Sequence, residues 1–446
     1  MYGYQNKRAA RAWVWILIAV LILSPILGIT VYRITGDRAL RKRIDTIRAQ
    51  GHPVTLEELA ETYNLPPGTE NTADYYLAAF SNLVTWEDTD LLQDLPLVGK
   101  AELPPRTKSL PPIMKERIDQ YLTENQEALR ILHQAATMPH CRFPMDFARG
   151  MNTLILWMRD VRPSTKLLEL EILSSLESGR TNEALTSVHS SMTLLQNIYP
   201  AVLNLYLARS GLAAYTQKSI ERILNRTALS EKQLQRLSER LRTEDVRALF
   251  RTALHGDRCM GLSLFLGTPP LDPDFRFWGQ KDTPSIRLLD PLRTLGYLQR
   301  DALGYLDYQQ TLLETLTLPS QDILPANEQM RAQQYGGPFT RVLTGPHVIT
   351  SLVVRVEAQQ QTALTALAIE RYRLAQQRLP EQLDQLVPDY LETGPIDPYD
   401  GQPLRYRLLD TGYVVYSIGV DGKDDGGKEK PKVEKPPWDF TFTVER

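Results

Sequence analysis

A mainly α-helical chain, with one apolar helix near its start and a small α+β module near its end, is what this sequence predicts. Three observations carry that expectation. Residues 13–31, WVWILIAVLILSPILGITV, hold no charge. From residue 112 to about 318, apolar side chains recur at the three-to-four spacing of amphipathic helices. From residue 404 the period shortens to two in the runs 404–408, 413–418 and 439–445.

The apolar stretch opens on Trp13 and closes on Val31. About 19 residues at roughly 1.5 Å each nearly cross a hydrocarbon layer of about 30 Å. Lys7, Arg8 and Arg11 precede it, and Trp13 and Trp15 suit the lipid interface. The run exceeds the apolar core of a signal peptide and no A-x-A-like site follows, so it reads as an uncleaved, single-pass anchor. Ser24-Pro25 and Gly28 are tolerable in such a helix. Arg33, Arg38, Arg41, Lys42, Arg43 and Arg48 follow, and charge counting alone would keep the body in the cytoplasm. Residues 35–50 read as an exposed basic stalk.

Thr55-Leu56-Glu57-Glu58 forms a capping box, and the helix it starts ends at Leu65-Pro66-Pro67. Asn71 caps a helix bearing Tyr75, Tyr76, Leu77 and Phe80, and proline-rich residues 86–112 read as loop. Residues 113–137 carry one stripe, Ile118, Tyr121, Leu122, Leu129 and Leu132. Residues 167–176 and 184–198 pair across Ser178-Gly179-Arg180-Thr181, loosely resembling a tetratricopeptide hairpin without its fixed repeat. Pro200 opens the next helix, Ser230 and Gln233 frame a second capping box, and Thr243 caps the helix after it. A break at 267–284 precedes a helix over 291–316, and 319–339 reads as a second loop. Gly345-Pro346 then opens a long helix to about Gln377. Short connections imply antiparallel neighbours, hence an irregular bundle or solenoid of the kind that offers a surface to a protein partner.

After Leu379-Pro380 comes a helical turn over 381–387, then turns at Pro388, Gly394, Pro395, Asp397 and Pro398. The runs 404–408 and 413–418 flank Asp410-Thr411-Gly412, a hairpin signal. A glycine-rich loop follows, with Asp421, Asp424 and Asp425. Residues 428–437 form a charged, proline-rich linker. Phe440, Phe442 and Val444 alternate with threonines in a terminal strand that would cover the hairpin's edge. Leu379-Pro380, Asp397-Pro398, the run 401–404, Tyr416-Ser417-Ile418-Gly419 and Asp421-Gly422 together resemble the globular head of G-class type II secretion pseudopilins. The likeness covers roughly the last fifth of the chain. In that family an apolar helix with Glu at its fifth position leads directly into the head; here the apolar segment lacks that Glu and lies far away, so the head reads as borrowed. The resemblance implies calcium held by Asp421, Asp424 and Asp425, with carbonyls near Ile418 or Val420, on a loop flexible enough to wrap the ion. Read from composition alone, the loop is a solvated acidic turn. The resemblance also implies a bacterial inner-membrane protein with its body in the periplasm.

The remaining chemistry is sparse. A net charge of −2 and no basic stripe argue against nucleic acid. Cys141 and Cys259 show no metal or redox spacing. The sequence holds no HExxH, GxSxG, GxGxxG or Walker-type loop. His133, His189 and His255 lie in helices and could meet, Asp257-Arg258 reads as a helix-surface pair, and Glu169 and Glu171 cannot share a helix face. Trp157, Trp278, Phe275 and Phe277 read as core or loop anchors. The expected organisation is an anchor over 1–50, a helical body over 51–340, a pseudopilin-like head over 346–427 and the linker with its strand over 428–446. The expected function is non-enzymatic: a membrane-anchored envelope protein with a partner-binding body. An enzyme whose site is assembled from distant residues, and an accessory part of a secretion or pilus-like system, are the alternatives.

Overall fold

The computed structural model describes residues 2–270, 289–344, 349–428 and 439–446. The Gly345-Pro346 helix start, the aromatic stretch with Phe275, Phe277 and Trp278, and the linker from residue 429 lie outside them.

Helix α1 (Tyr2–Ala49) continues unbroken through Pro25. Residues 13–31 are exposed on every side, and the helix is long and apolar enough to cross a membrane. Past Val31 it is not the free stalk expected. Leu40 and Ile47 are buried in one cluster with Leu298, Ala302, Tyr305 and Leu306.

Helices α2 (Leu56–Tyr63), α3 (Ala73–Ser81) and α4 (Thr89–Gln93) follow, the last inside the stretch expected to be loop. At α2 the Thr55 hydroxyl accepts from the Glu58 amide at 3.2 Å and Glu58 reaches back to the Val54 amide at 2.8 Å. The single helix expected over 113–137 is two, α5 (Pro112–Glu124) and α6 (Gln126–Ala135). Between them Asn125 is buried and clamps the Val84 backbone, accepting from its amide at 2.9 Å and donating to its carbonyl at 3.1 Å. That long-range bond outweighs local periodicity.

Helices α7 (Met158–Glu177) and α8 (Thr181–Asn197) form the expected hairpin, turning at Gly179 with φ of 69°. Next come α9 (Leu203–Arg226), α10 (Glu231–Arg242) and α11 (Val246–Leu266). Asp245, not Thr243, caps α11, accepting from the Ala248 amide at 2.9 Å, while Thr243 closes α10. Asp257-Arg258 is not a surface pair: Arg258 is buried and donates to the Pro53 carbonyl at 2.9 Å. Helices α12 (Leu289–Thr294) and α13 (Tyr297–Thr315) are separated by Gly296, whose φ is 83°. The second expected loop is largely helical, as α14 (Ser320–Ala332) and α15 (Pro338–Thr344).

Helix α16 (Ile349–Gln376) lies against the body through its polar residues as well as its apolar ones. Gln360 donates to the Leu241 and Glu244 carbonyls at 2.6 and 3.0 Å. Strands β1 (Arg405–Leu409), β2 (Gly412–Ser417) and β3 (Phe440–Val444) form an antiparallel sheet in the order β1-β2-β3. Val415 pairs with Tyr406 on one side and Phe442 on the other. The edge of β3 is covered by α9: Glu221 accepts from the Thr443 amide at 2.7 Å, and Asn225 donates to the Thr443 carbonyl at 2.7 Å. The core is continuous across the boundary expected near 340–346. Ile172, Val188, Ile223 and Leu234 share one apolar cluster with Leu367, Ile369, Tyr413 and Phe442.

Candidate functional site

The acidic loop folds on its own backbone. Asp421 accepts from the Lys423 amide at 3.2 Å, and Asp424 accepts from the Gly426 amide at 2.8 Å and the Tyr416 hydroxyl at 3.0 Å. Asp439, unremarked in the sequence, is buried behind the loop and accepts from the Gly427 and Asp425 amides at 2.8 and 3.4 Å. Burial, then the charges of Asp424 and Asp425, hold its carboxyl above the usual range. Among the described residues no three His, Cys, Asp or Glu side chains converge as a metal ion would need. Asp421 and Asp424 thus each accept from an amide of the loop, while at Asp425 it is the backbone amide that is engaged, by Asp439. Asp397 forms its expected turn and Asp400 another, accepting from the Tyr399 and Gln402 amides, both at 3.0 Å. Asp397 also accepts from Ser417, the Ile418 amide and Arg405 at 2.7, 2.9 and 2.8 Å, fixing the preceding loop to the hairpin.

Two of the three helical histidines do come together. His133 and His189 line a cleft of about 460 Å³ with Asn182, Gln233 and Arg236. His133 stands between Ser190 (Nδ1 to Oγ 2.8 Å) and Glu171 (Nε2 to Oε2 2.8 Å), and Ser187 donates to the same carboxylate oxygen at 2.7 Å. With Nε2–H donated to Glu171, Nδ1 is free to accept the Ser190 proton, the relation of nucleophile, base and orienting acid. Ser190 lies in the middle of α8, where backbone amides are engaged in the helix, so an oxyanion would have to be met by Arg236 or Gln233. His255 lies elsewhere, stacked on His52 at 4.1 Å. Burial, then Arg258, lowers the His255 pKa to about 3. Cys141 and Cys259 are separate, buried thiols, each pushed up to about 12 chiefly by burial.

A larger cleft, about 520 Å³, lies where the body meets the C-terminal module. One wall is the end of α10 and the start of α11, another is α16, and the rim is the loop from Leu391 to Pro398. Its floor is an ion pair. Arg247 donates to Glu357 at 2.6 Å, to Ser320 at 2.7 Å and to the Leu316 and Leu318 carbonyls at 3.0 and 2.6 Å. Ser320 donates to Glu357 at 2.7 Å. The side chains of Arg242, Gln321, Gln361 and Glu392, and the amides of Glu392, Thr393 and Gly394, bond to no group among the described residues. Ile396 stands 48% exposed at the rim. A pocket with polar groups fixed below and free ones at its edge can hold an extended chain by main-chain bonds, with an apolar contact beside it. No motif announced this cleft. Its parts come from four regions far apart in the chain, which no local pattern joins. Comparison with family models, curated proteins and solved structures finds no match to this chain.

Proposed function

We propose that this chain is a membrane-anchored, non-catalytic scaffold that receives an extended segment of a protein partner in the cleft between its body and its C-terminal module. The observation that carries this is the free set of donors and acceptors, Arg242, Gln321, Gln361, Glu392 and the 392–394 amides, around the hydrogen-bonded Arg247–Glu357 pair. The fully exposed apolar stretch at 13–31 supports the anchor. The resemblance of the last fifth of the chain to pseudopilin heads supports placing the body on the periplasmic side of a bacterial inner membrane, beside a secretion or pilus-like system. The test is a peptide array probed with the detergent-solubilised full chain. Peptides that bind should lose at least about tenfold in affinity when Gln361→Trp fills the cleft. An array without binders, or binders indifferent to that substitution, would overturn the reading.

One observation favours a second reading, an acyl-transferring enzyme: the Ser190–His133–Glu171 relay, of which Ser190 and His133 line the 460 Å³ cleft. A fluorophosphonate probe that labels the wild-type chain and fails on Ser190→Ala would establish it. On the scaffold reading neither protein is labelled.

A further inference from the structure

The end of the body nearest the apolar stretch carries a set of exposed apolar side chains that the anchor alone does not explain. Helix α13 runs alongside α1 in the same direction. Tyr297 packs on Tyr32 with ring centres 5.7 Å apart, Arg300 donates to Thr35 at 3.1 Å, and Arg43 meets Asp307 at 3.3 Å. The first turn of α13 is therefore level with the first residue after Val31. A Cβ on Gly296 would fall 2.8 Å from the Arg33 Cα, so α1 and the α12–α13 turn touch backbone to backbone there. Helix α12 reaches the same level, where Arg33 donates to the Thr294 carbonyl at 3.5 Å.

Arg293 of α12 donates to the Leu264 and Phe265 carbonyls at 3.1 and 3.0 Å, which brings the last turn of α11 to this end. Asn152 donates to the Pro270 carbonyl at 2.9 Å, which brings the segment after residue 150 there too. At this one end Leu154 is 60% exposed, Leu156 66%, Leu266 43%, Leu295 39% and Tyr297 58%. Arg33, Arg149 and Arg159, close to these residues in the chain, are exposed as well.

We propose that this face rests on the bilayer that α1 crosses, with Leu154, Leu156, Leu266, Leu295 and Tyr297 entering the interfacial layer. The proposal rests on residues 13–31 being a span. Lipid is the occupant because the face is continuous with the point where the apolar helix would emerge. Aliphatic and tyrosine side chains together with arginines are the composition that layer favours. Burial of the leucines in lipid, together with arginine contacts to phosphates, then holds the body down instead of letting it ride clear on α1.

The test uses the full chain in phosphatidylcholine–phosphatidylglycerol vesicles whose acyl chains carry a quencher. An environment-sensitive dye is placed by single substitution at Leu21→Cys in the span, at Leu156→Cys or Tyr297→Cys on the proposed face, and at Glu392→Cys by the distant cleft. Cys141 and Cys259 are buried and do not compete. Dyes at 156 and 297 should be quenched about fivefold or more beyond the dye at 392, approaching the dye at 21. Quenching at 21 with 156 and 297 matching 392 overturns the docking and leaves the anchor standing. No quenching at 21 overturns both.

Discussion

Glu169 brings a carboxyl group into the core of α7, where only 6% of the residue is exposed and its Oε1 has no hydrogen-bond partner. Burial pushes its pKa from an ordinary 4.5 up to about 8, against the opposing pull of Lys166 and Lys218. Between those values the folded chain keeps a proton that the unfolded chain releases. Stability therefore falls as pH rises through this window, and the contribution is fully present only below it. Glu169→Gln should remove that slope, adding on the order of 2 kcal/mol at pH 8.5 and little at pH 5. Thermal melting of the two proteins at both pH values checks it; equal melting shifts would refute it. Legibility at this scale followed distance along the chain. The caps at Thr55 and Ser230 were readable because their partners lie three or four residues away, although only Ser230 and Gln233 close the full reciprocal box. Asn125, Asp439 and the His133 relay were not, because their partners lie 41, 12 to 14, and 38 to 57 residues away.

Among the elements, α11 is where close approach matters most. A Cβ on Gly256 would sit 1.7 Å from the Ala201 carbonyl oxygen, and one on Gly261 would strike the Tyr305 ring at 2.4 Å. Two glycines inside a helix cost intrinsic helix stability, and here they let the segment before α9 and the side of α13 close on α11. Gly256→Ala should destabilise the chain by about 2–3 kcal/mol despite alanine's better helix propensity, because the clash is with backbone. Denaturant unfolding would measure it, and an unchanged midpoint would argue that the helix shifts freely. The sheet was the most legible group of elements, since period-two alternation and a glycine turn specify a hairpin locally. The least legible were α14 and α15. Pro325 and the Gly336-Gly337-Pro338 run look like loop, yet Asp301 accepts from the Gly337 and Phe339 amides at 2.6 and 3.0 Å and holds the turn between them.

For the whole molecule, the proposed anchor makes the side on which the body lies directly measurable. Lys108 is exposed on the body, while Cys141 and Cys259 are buried, so a Lys108→Cys chain carries one thiol open to reagent. With the body periplasmic, a membrane-impermeant maleimide should label intact cells to about the level of permeabilised ones. Labelling that appears only after permeabilisation would put the body in the cytoplasm, as the arginines after Val31 would have it. The sequence conveyed the helical character and the closing sheet at this scale. It did not convey that body and C-terminal module share one core, because a boundary read from prolines and glycines carries no information about which faces meet. Helices α11 and α13 have a further consequence. Each joins the end near Val31 to the Arg247 floor, and 19 to 21 residues of helix measure about 30 Å. Two helical struts thus separate the cleft from that end, and with the proposed docking they would set its height above the lipid. On the proposed function a partner would have to present its segment at that height, so reach, as much as chemistry, would decide what binds.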